Sequence, residues 1–195
     1  MIRYLLLLPL LTLMACVEAP ASHSYPPVRF QQSAPIGLNI QSVELVKEYQ
    51  SPFAPPHVEH QMPYSFEDML RQWSTDRINT TGQGGRLELI IKEASIKEAP
   101  LPLTKGIKGA FTKEQSERYD AKLLVAAKLY TADSHLFAAQ AEVSVTKSRT
   151  LREDATILQR EQLFYDMGKE IMTAFDTEIT RQIRQNFGSH ISQQF

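Results

Sequence analysis

The sequence predicts an α+β fold: an antiparallel sheet of about four strands, with two helices packed on one face. Three observations carry this. Apolar residues alternate along Ile36–Tyr49, Leu87–Ile96, Tyr119–Leu129 and Phe137–Val145, the period of a half-buried strand. Two other segments, after Ser65 and after Asp154, carry apolar residues every three or four positions, the period of a helix face. The order along the chain is therefore β-α-β-β-β-α, and two helices over one sheet face bury every apolar stripe at once.

The first strand candidate alternates at Ile36, Leu38 and Ile40, then changes phase to Val43 and Leu45. One extra residue near Ser42 does this, so a bulge or bend is expected there. Residues 51–63 contain Pro52, Pro55, Pro56 and Pro63 and read as a partly extended loop. Ser65 followed by Asp68 is a capping-box variant, opening a helix with Phe66, Met69 or Leu70, Trp73 and Ile78 on one face, through about Asn79. The second strand again shifts phase after Ile91, placing a bulge near Glu93. The third and fourth strands are separated by a tight turn at Thr131–Ser134 and form an antiparallel hairpin. The last helix runs from about Asp154 to Phe187 with Gly188 as its C-cap. Gly168 inside it weakens the helix by about 1 kcal/mol relative to Ala and is expected to let it approach the sheet closely. The sheet's second face carries Lys122, Lys128, Gln140, Glu142, Ser144 and Thr146 along with Leu124 and Tyr130, a mixed surface open to a partner.

The chain has 195 residues, is 43% hydrophobic and has a formal net charge of −1. That is one domain of ordinary size, without the excess of cations that a general nucleic-acid binder needs. The N-terminus differs from the rest. Arg3 precedes an almost wholly apolar run, Tyr4–Leu13. At about ten residues it is too short to span a bilayer, which takes about 20, and suits the core of a secretory signal. Leu13-Met14-Ala15-Cys16 follows.

Those four residues resemble the lipobox of bacterial lipoproteins. The resemblance implies cleavage between Ala15 and Cys16, a diacylglyceryl group on the Cys16 sulfur, and acylation of the new amine. Two or three acyl chains make a durable anchor where one does not. Cys16 is the only cysteine, so no disulfide can form within one chain. Val17 stands where an Asp commonly retains Gram-negative lipoproteins in the inner membrane, which implies the outer membrane, facing the periplasm. The expected organisation is a signal peptide over 1–15, a lipidated N-terminus and Pro/Ser/Ala-rich tether over 16–34, and a single domain over 35–195.

No nucleophile elbow, phosphate loop or dinucleotide fingerprint is present; no catalytic residue, cofactor or metal is expected. The pair His57 and His60 has helical spacing for a metal, but the surrounding prolines favour a solvated loop. Two features suit contact. Lys105, Lys108 and Lys113 interleave with Ile107 and Phe111; cationic heads beside apolar side chains fit an anionic lipid, a membrane surface or a partner, or else the apolar pair folds onto the core. Phe53 in the proline-rich loop and Trp73 on the helix either face a partner, or Trp73 is buried and fixes helix to sheet.

Over residues 35–187 the layout also resembles the auxiliary lipoproteins of lipid-transporting ABC systems and the lipopolysaccharide-assembly lipoprotein. It is a resemblance of pattern, carried by Leu87–Ala94, Ala121–Leu129, Ala139–Val145 and the helix Phe164–Ile183. It implies a non-catalytic, membrane-anchored protein that binds a protein partner or lipid in envelope transport or assembly. An envelope hydrolase or metal-dependent enzyme, and a surface-exposed structural lipoprotein, are the alternatives.

Overall fold

The computed structural model describes residues 24–102, 114–132, 134 and 136–192. Those residues form six strands and two main helices: β1 (Ile36–Leu38), β2 (Ser42–Lys47), α1 (Phe66–Arg77), β3 (Ile78–Thr80), β4 (Arg86–Pro100), β5 (Gln115–Tyr130), β6 (Phe137–Arg152) and α2 (Ile157–Asn186). The α+β class, the four-stranded main sheet and the two helices match the sequence reading. The sheet order is β2-β4-β5-β6.

The all-antiparallel expectation is corrected at one edge. β4, β5 and β6 are antiparallel, but β2 pairs parallel with β4, Ser42 opposite Arg86 through Lys47 opposite Ile91. The cause is connectivity. α1 lies between the two strands, and a helical crossover returns the chain in the same direction. The expected bulge near Ser42 is instead a break that splits the first strand into β1 and β2. β1 forms a separate two-stranded parallel ribbon with β3. β3 was not foreseen, because Ile78 continues the apolar stripe of α1. The β-branched Ile78 and the poor helix formers Asn79, Thr80 and Thr81 favour extended chain there, and Thr81 N–H donates to the Leu38 carbonyl at 2.9 Å.

The bulge near Glu93 is present, as a register shift between Ile91 and Glu93. α1 is closed by a full capping box, Ser65 accepting from the Asp68 N–H and Asp68 from the Ser65 N–H. α2 starts three residues later than expected, capped by Thr156 and Gln159, because β6 continues to Arg152. Gly188 follows the helix with φ +39°, the left-handed geometry of a residue just past a C-cap.

One core lies between sheet and helices. Leu87, Leu89, Ile91, Tyr119, Leu123, Val125, Leu129 and Val143 from the sheet meet Phe164, Met167, Ile171, Phe175, Ile179 and Ile183 from α2, and Phe66, Leu70 and Trp73 from α1. Trp73 is fully buried. It ties helix to helix: its ring meets Phe175 edge-on at 5.1 Å and its indole N–H donates to Asp176 at 2.8 Å. Gly168 likewise serves the helix pair and not the sheet. A Cβ there would sit 2.6 Å from Met69 Cε and 3.1 Å from Met62 Cε.

The buried Arg77 is the polar centre of this helix interface. It donates to Asp176 at 2.7 Å, to Thr180 at 3.1 Å and to the Ala34 carbonyl. The stretch expected to be free tether is partly held here too. Tyr25 and Phe30 are buried; the Tyr64 hydroxyl donates to the Tyr25 carbonyl at 2.8 Å and the Tyr165 hydroxyl to the Pro26 carbonyl at 2.9 Å. Arg29 and the Phe30 N–H both donate to Asp76. The packed residues therefore reach back to about Tyr25, because Tyr64 just before α1, Tyr165 on α2 and Asp76 supply donors and an acceptor to this backbone.

Candidate binding site

β2 ends at Lys47, but β4 runs on to Pro100, leaving the second half of its edge without a strand. The chain from Glu48 to Pro63 fills that edge. The N–H groups of Glu48 and Tyr49 both donate to the Ile91 carbonyl, at 3.1 and 3.0 Å, beside the bulge. Farther along, Val58 N–H donates to the Ile96 carbonyl and Glu98 N–H to the Pro56 carbonyl, each at 2.8 Å. Prolines suit this position, since an edge segment need not donate at every residue.

Between these two attachments the loop stands off the strand and encloses a cavity of about 230 Å³. Ile91 and Ala94 contribute from β4, Met62 and Phe66 from the start of α1, and Tyr49, Phe53, Glu59 and His60 from the loop. Lys47 and Glu67 form an ion pair of 3.1 Å at its rim.

Glu59 organises the loop. It is buried, with 8% of its surface exposed, and its carboxylate accepts from the Tyr49 hydroxyl at 2.7 Å and from the Ile96 N–H at 3.2 Å. A side-chain oxygen thus takes the place of a missing strand's carbonyl. Burial alone would raise the Glu59 pKa; donation from Ser51, Tyr49 and the Ile96 N–H outweighs it and holds the group below the usual carboxylate range. The Tyr49 phenol is pushed the other way, first by burial and then by the adjacent Glu59 charge. At neutral pH the pair is a carboxylate receiving a phenol proton, a bond that braces the loop. His57 Nδ1 lies 3.2 Å from the same hydroxyl.

Phe53 stands at the mouth of the cavity. It is 73% exposed, its ring lies 5.5 Å from that of His60, and its φ is +53°. A bulky residue in the left-handed region stores about 1–3 kcal/mol of strain. An apolar floor, a charged rim and a protruding aromatic ring can receive an apolar side chain of a partner.

The sheet's second face is laced by ion pairs between strands. Lys92 reaches Glu142 across β5, and Lys122 reaches Glu93 at 2.7 Å. The Arg86 guanidinium lies 4.1 Å from the Tyr130 ring centre. The free edge of β6 is partly covered, since the Gln182 side chain bonds both the N–H and the carbonyl of Glu142, at 3.2 and 3.0 Å.

Of the residues singled out from sequence, Ala15, Cys16, Lys105, Ile107, Lys108, Phe111 and Lys113 lie outside the described residues. Phe53 is exposed and beside the cavity; Trp73 is not part of it. His60 lines the cavity, whereas His57 bridges to Lys97 on β4. Among the described residues no group of three or more His, Cys, Asp or Glu side chains could hold a metal ion. Sequence reasoning missed Glu59 and Tyr49. The available signal was an acidic residue that follows the apolar Val58 and precedes Met62 by three positions, inside a loop otherwise read as solvated.

No family model matches the chain, and no curated protein matches it. Solved structures that resemble it include a minor lipoprotein from Acinetobacter baumannii, 14% identical over 80% of this chain and 99% of that one, with a TM-score of 0.40. An uncharacterized lipoprotein B from Nitrosomonas europaea is 16% identical over 76% and 86%, with a TM-score of 0.39. A putative neuraminyllactose-binding hemagglutinin homolog from Helicobacter pylori is 10% identical over 84% and 97%, with a TM-score of 0.42. At these scores and identities the likenesses carry no argument about this chain.

Proposed function

We propose that this protein is a non-catalytic lipoprotein of the bacterial envelope, anchored through Cys16, whose domain binds a protein partner at the cavity beside β4. The observation that carries the anchor is the apolar run Tyr4–Leu13 leading into Leu13-Met14-Ala15-Cys16. In this reading Cys16 carries the acyl chains and residues 1–15 are removed. Val17 favours the outer membrane, with the domain in the periplasm. The site is read as a protein-binding one from its size. A cavity of about 230 Å³ falls below the roughly 300–1,000 Å³ of small-molecule sites, and fits one or two side chains. Confinement to the membrane surface raises the effective concentration near a membrane partner, which fits a role in envelope transport or assembly.

The test follows the full-length protein in cells given an alkyne-bearing fatty acid. A photoreactive phenylalanine analogue replaces Phe53. Wild type should incorporate the fatty acid and Cys16→Ala should not. Irradiation should give a discrete adduct with an envelope protein, weakened by Ala94→Trp, which fills the cavity. An unlabelled wild type overturns the anchor; an adduct that is absent or indifferent to Ala94→Trp overturns the site.

A further inference from the structure

Residues 25–30 run beside α2 in the same direction as the helix. Tyr25 packs against Tyr165, ring centres 4.9 Å apart, and Phe30 reaches Asp76 on α1. Residues 26–30, 32 and 33 share a groove with Tyr165, Lys169, Thr173 and Asp176 of α2. Tyr25, the first residue of this segment, therefore lies nearest the N-terminal end of α2. The strand ends β4 and β6 and the start of β5 meet at that same end: Leu101 N–H donates to the Ser116 carbonyl at 2.8 Å, and Glu153 N–H to the Glu114 carbonyl at 3.1 Å.

The first turn of α2 presents two large apolar side chains there, Ile157 at 81% and Leu158 at 45% exposure. They precede Tyr165 by about two turns, roughly 12 Å along the helix. Cys16 precedes Tyr25 by about nine residues, an extended reach of about 30 Å. A link this short, joined to the domain at Tyr25 beside Tyr165, would hold the end with Ile157 and Leu158 near the bilayer in which acylated Cys16 is anchored.

We propose that the N-terminal end of α2 is the membrane-facing end of the domain, with Ile157 and Leu158 immersed in the interfacial region of the phospholipid bilayer. This rests on acylation of Cys16. The acyl chains supply the residence on the membrane; the two side chains set which way the domain faces.

The test uses full-length acylated protein in phosphatidylethanolamine/phosphatidylglycerol vesicles containing doxyl-labelled lipid. With the Cys16 sulfur occupied by lipid, Ile157→Cys introduces the one thiol free for a bimane label. Leu136→Cys, 77% exposed at the opposite, hairpin end of the sheet, is the comparison. The expected result is doxyl quenching several-fold stronger at 157 than at 136. Equal quenching at the two sites, stronger quenching at 136, or an unquenched label at 157 on vesicle-bound protein overturns the orientation. The last outcome includes the case in which another part of this chain covers Ile157. A protein without acyl mass on Cys16 that fails to float with the vesicles overturns the anchor, and the orientation with it.

Discussion

Asp176 is where the helix interface is most exposed to a single substitution. Its carboxylate accepts from both the Arg77 guanidinium at 2.7 Å and the Trp73 indole at 2.8 Å. The Arg77 side chain is only 3% exposed. Asp176→Ala leaves a buried cation without its counter-charge and a buried N–H without an acceptor. Removing one partner of a buried pair costs about 3–5 kcal/mol. For a domain of this size each kcal/mol lowers Tm by about 2–4 °C, so a fall of about 6–20 °C is expected. Trp73 is the only tryptophan, and its fluorescence follows denaturant unfolding from inside the interface. Asp176→Asn keeps an oxygen for the indole but loses the charge, and should fall between wild type and Asp176→Ala. The double change Arg77→Met with Asp176→Leu should recover much of the loss, since an apolar replacement of both partners removes the desolvation cost. A loss below about 1 kcal/mol in Asp176→Ala, or a double variant no more stable than the single one, refutes the account.

Asp76 grips the N-terminal segment. Burial alone would raise its pKa, but donation from the Phe30 N–H, Arg29 and Gln72 outweighs this and lowers it. A lowered folded-state value means the stabilisation is complete above the unfolded carboxylate value and is lost as pH falls through the folded one. Hydrogen exchange at the Phe30 amide should therefore lose protection only in that acid range, and Asp76→Ala should speed trypsin cleavage after Arg29 at neutral pH. Tyr49→Phe removes a hydrogen bond to the buried Glu59 charge and should cost about 1.5–3 kcal/mol in denaturant unfolding. Gly168→Ala pits about 1 kcal/mol of helix propensity against displacement of the flexible Met69 tip, so stability should change by less than about 1 kcal/mol, whereas Gly168→Leu should be strongly destabilising. Gly85→Ala should destabilise more than Gly168→Ala, because its φ is +83° and the added Cβ would meet the rigid Tyr130 carbonyl oxygen at 2.5 Å.

Elements whose pattern comes from one buried face were legible in the sequence. Ser65 and Asp68 marked the start of α1, the alternation from Tyr119 to Leu129 marked β5, and the phase slip after Ile91 marked the bulge in β4. The rest depended on pairing in three dimensions. Nothing in Val43 or Leu45 distinguishes a parallel neighbour from an antiparallel one, since either burial pattern alternates. The end of β6, Thr146–Arg152, lacks alternation because it is an edge beside the polar flank of α2, where Arg149 pairs with Glu170 and Leu151 lies beside Gln159, Gln162 and Leu163. Arg77 at the end of α1 and Asp176 beside the apolar stripe of α2 carry no sequence signal that would pair them; only the approach of the two helices makes them partners. Glu59 was hidden for a similar reason. Its role is to replace a strand that β2, ending at Lys47, does not supply.

If Cys16 carries the proposed anchor, the segment from Tyr25 to Phe30 changes what that anchor can do. A free tether from Cys16 to Ala34 would reach about 60 Å, whereas one ending at Tyr25 reaches about 30 Å. Halving the reach shrinks the accessible volume by about eightfold, and raises the effective concentration at the membrane by the same factor. It also links the tether to the site. Tyr64 donates to the Tyr25 carbonyl and lies in sequence between Met62 and Ser65, which both line the cavity. The point where the tether joins the domain is thus within a few residues of the cavity wall. Under the proposed acylation of Cys16, a partner inserting a side chain beside Phe53 would meet the domain close to the point where the tether joins it. Its docking surface would therefore lie at or just above the bilayer, and not at a distance across the envelope.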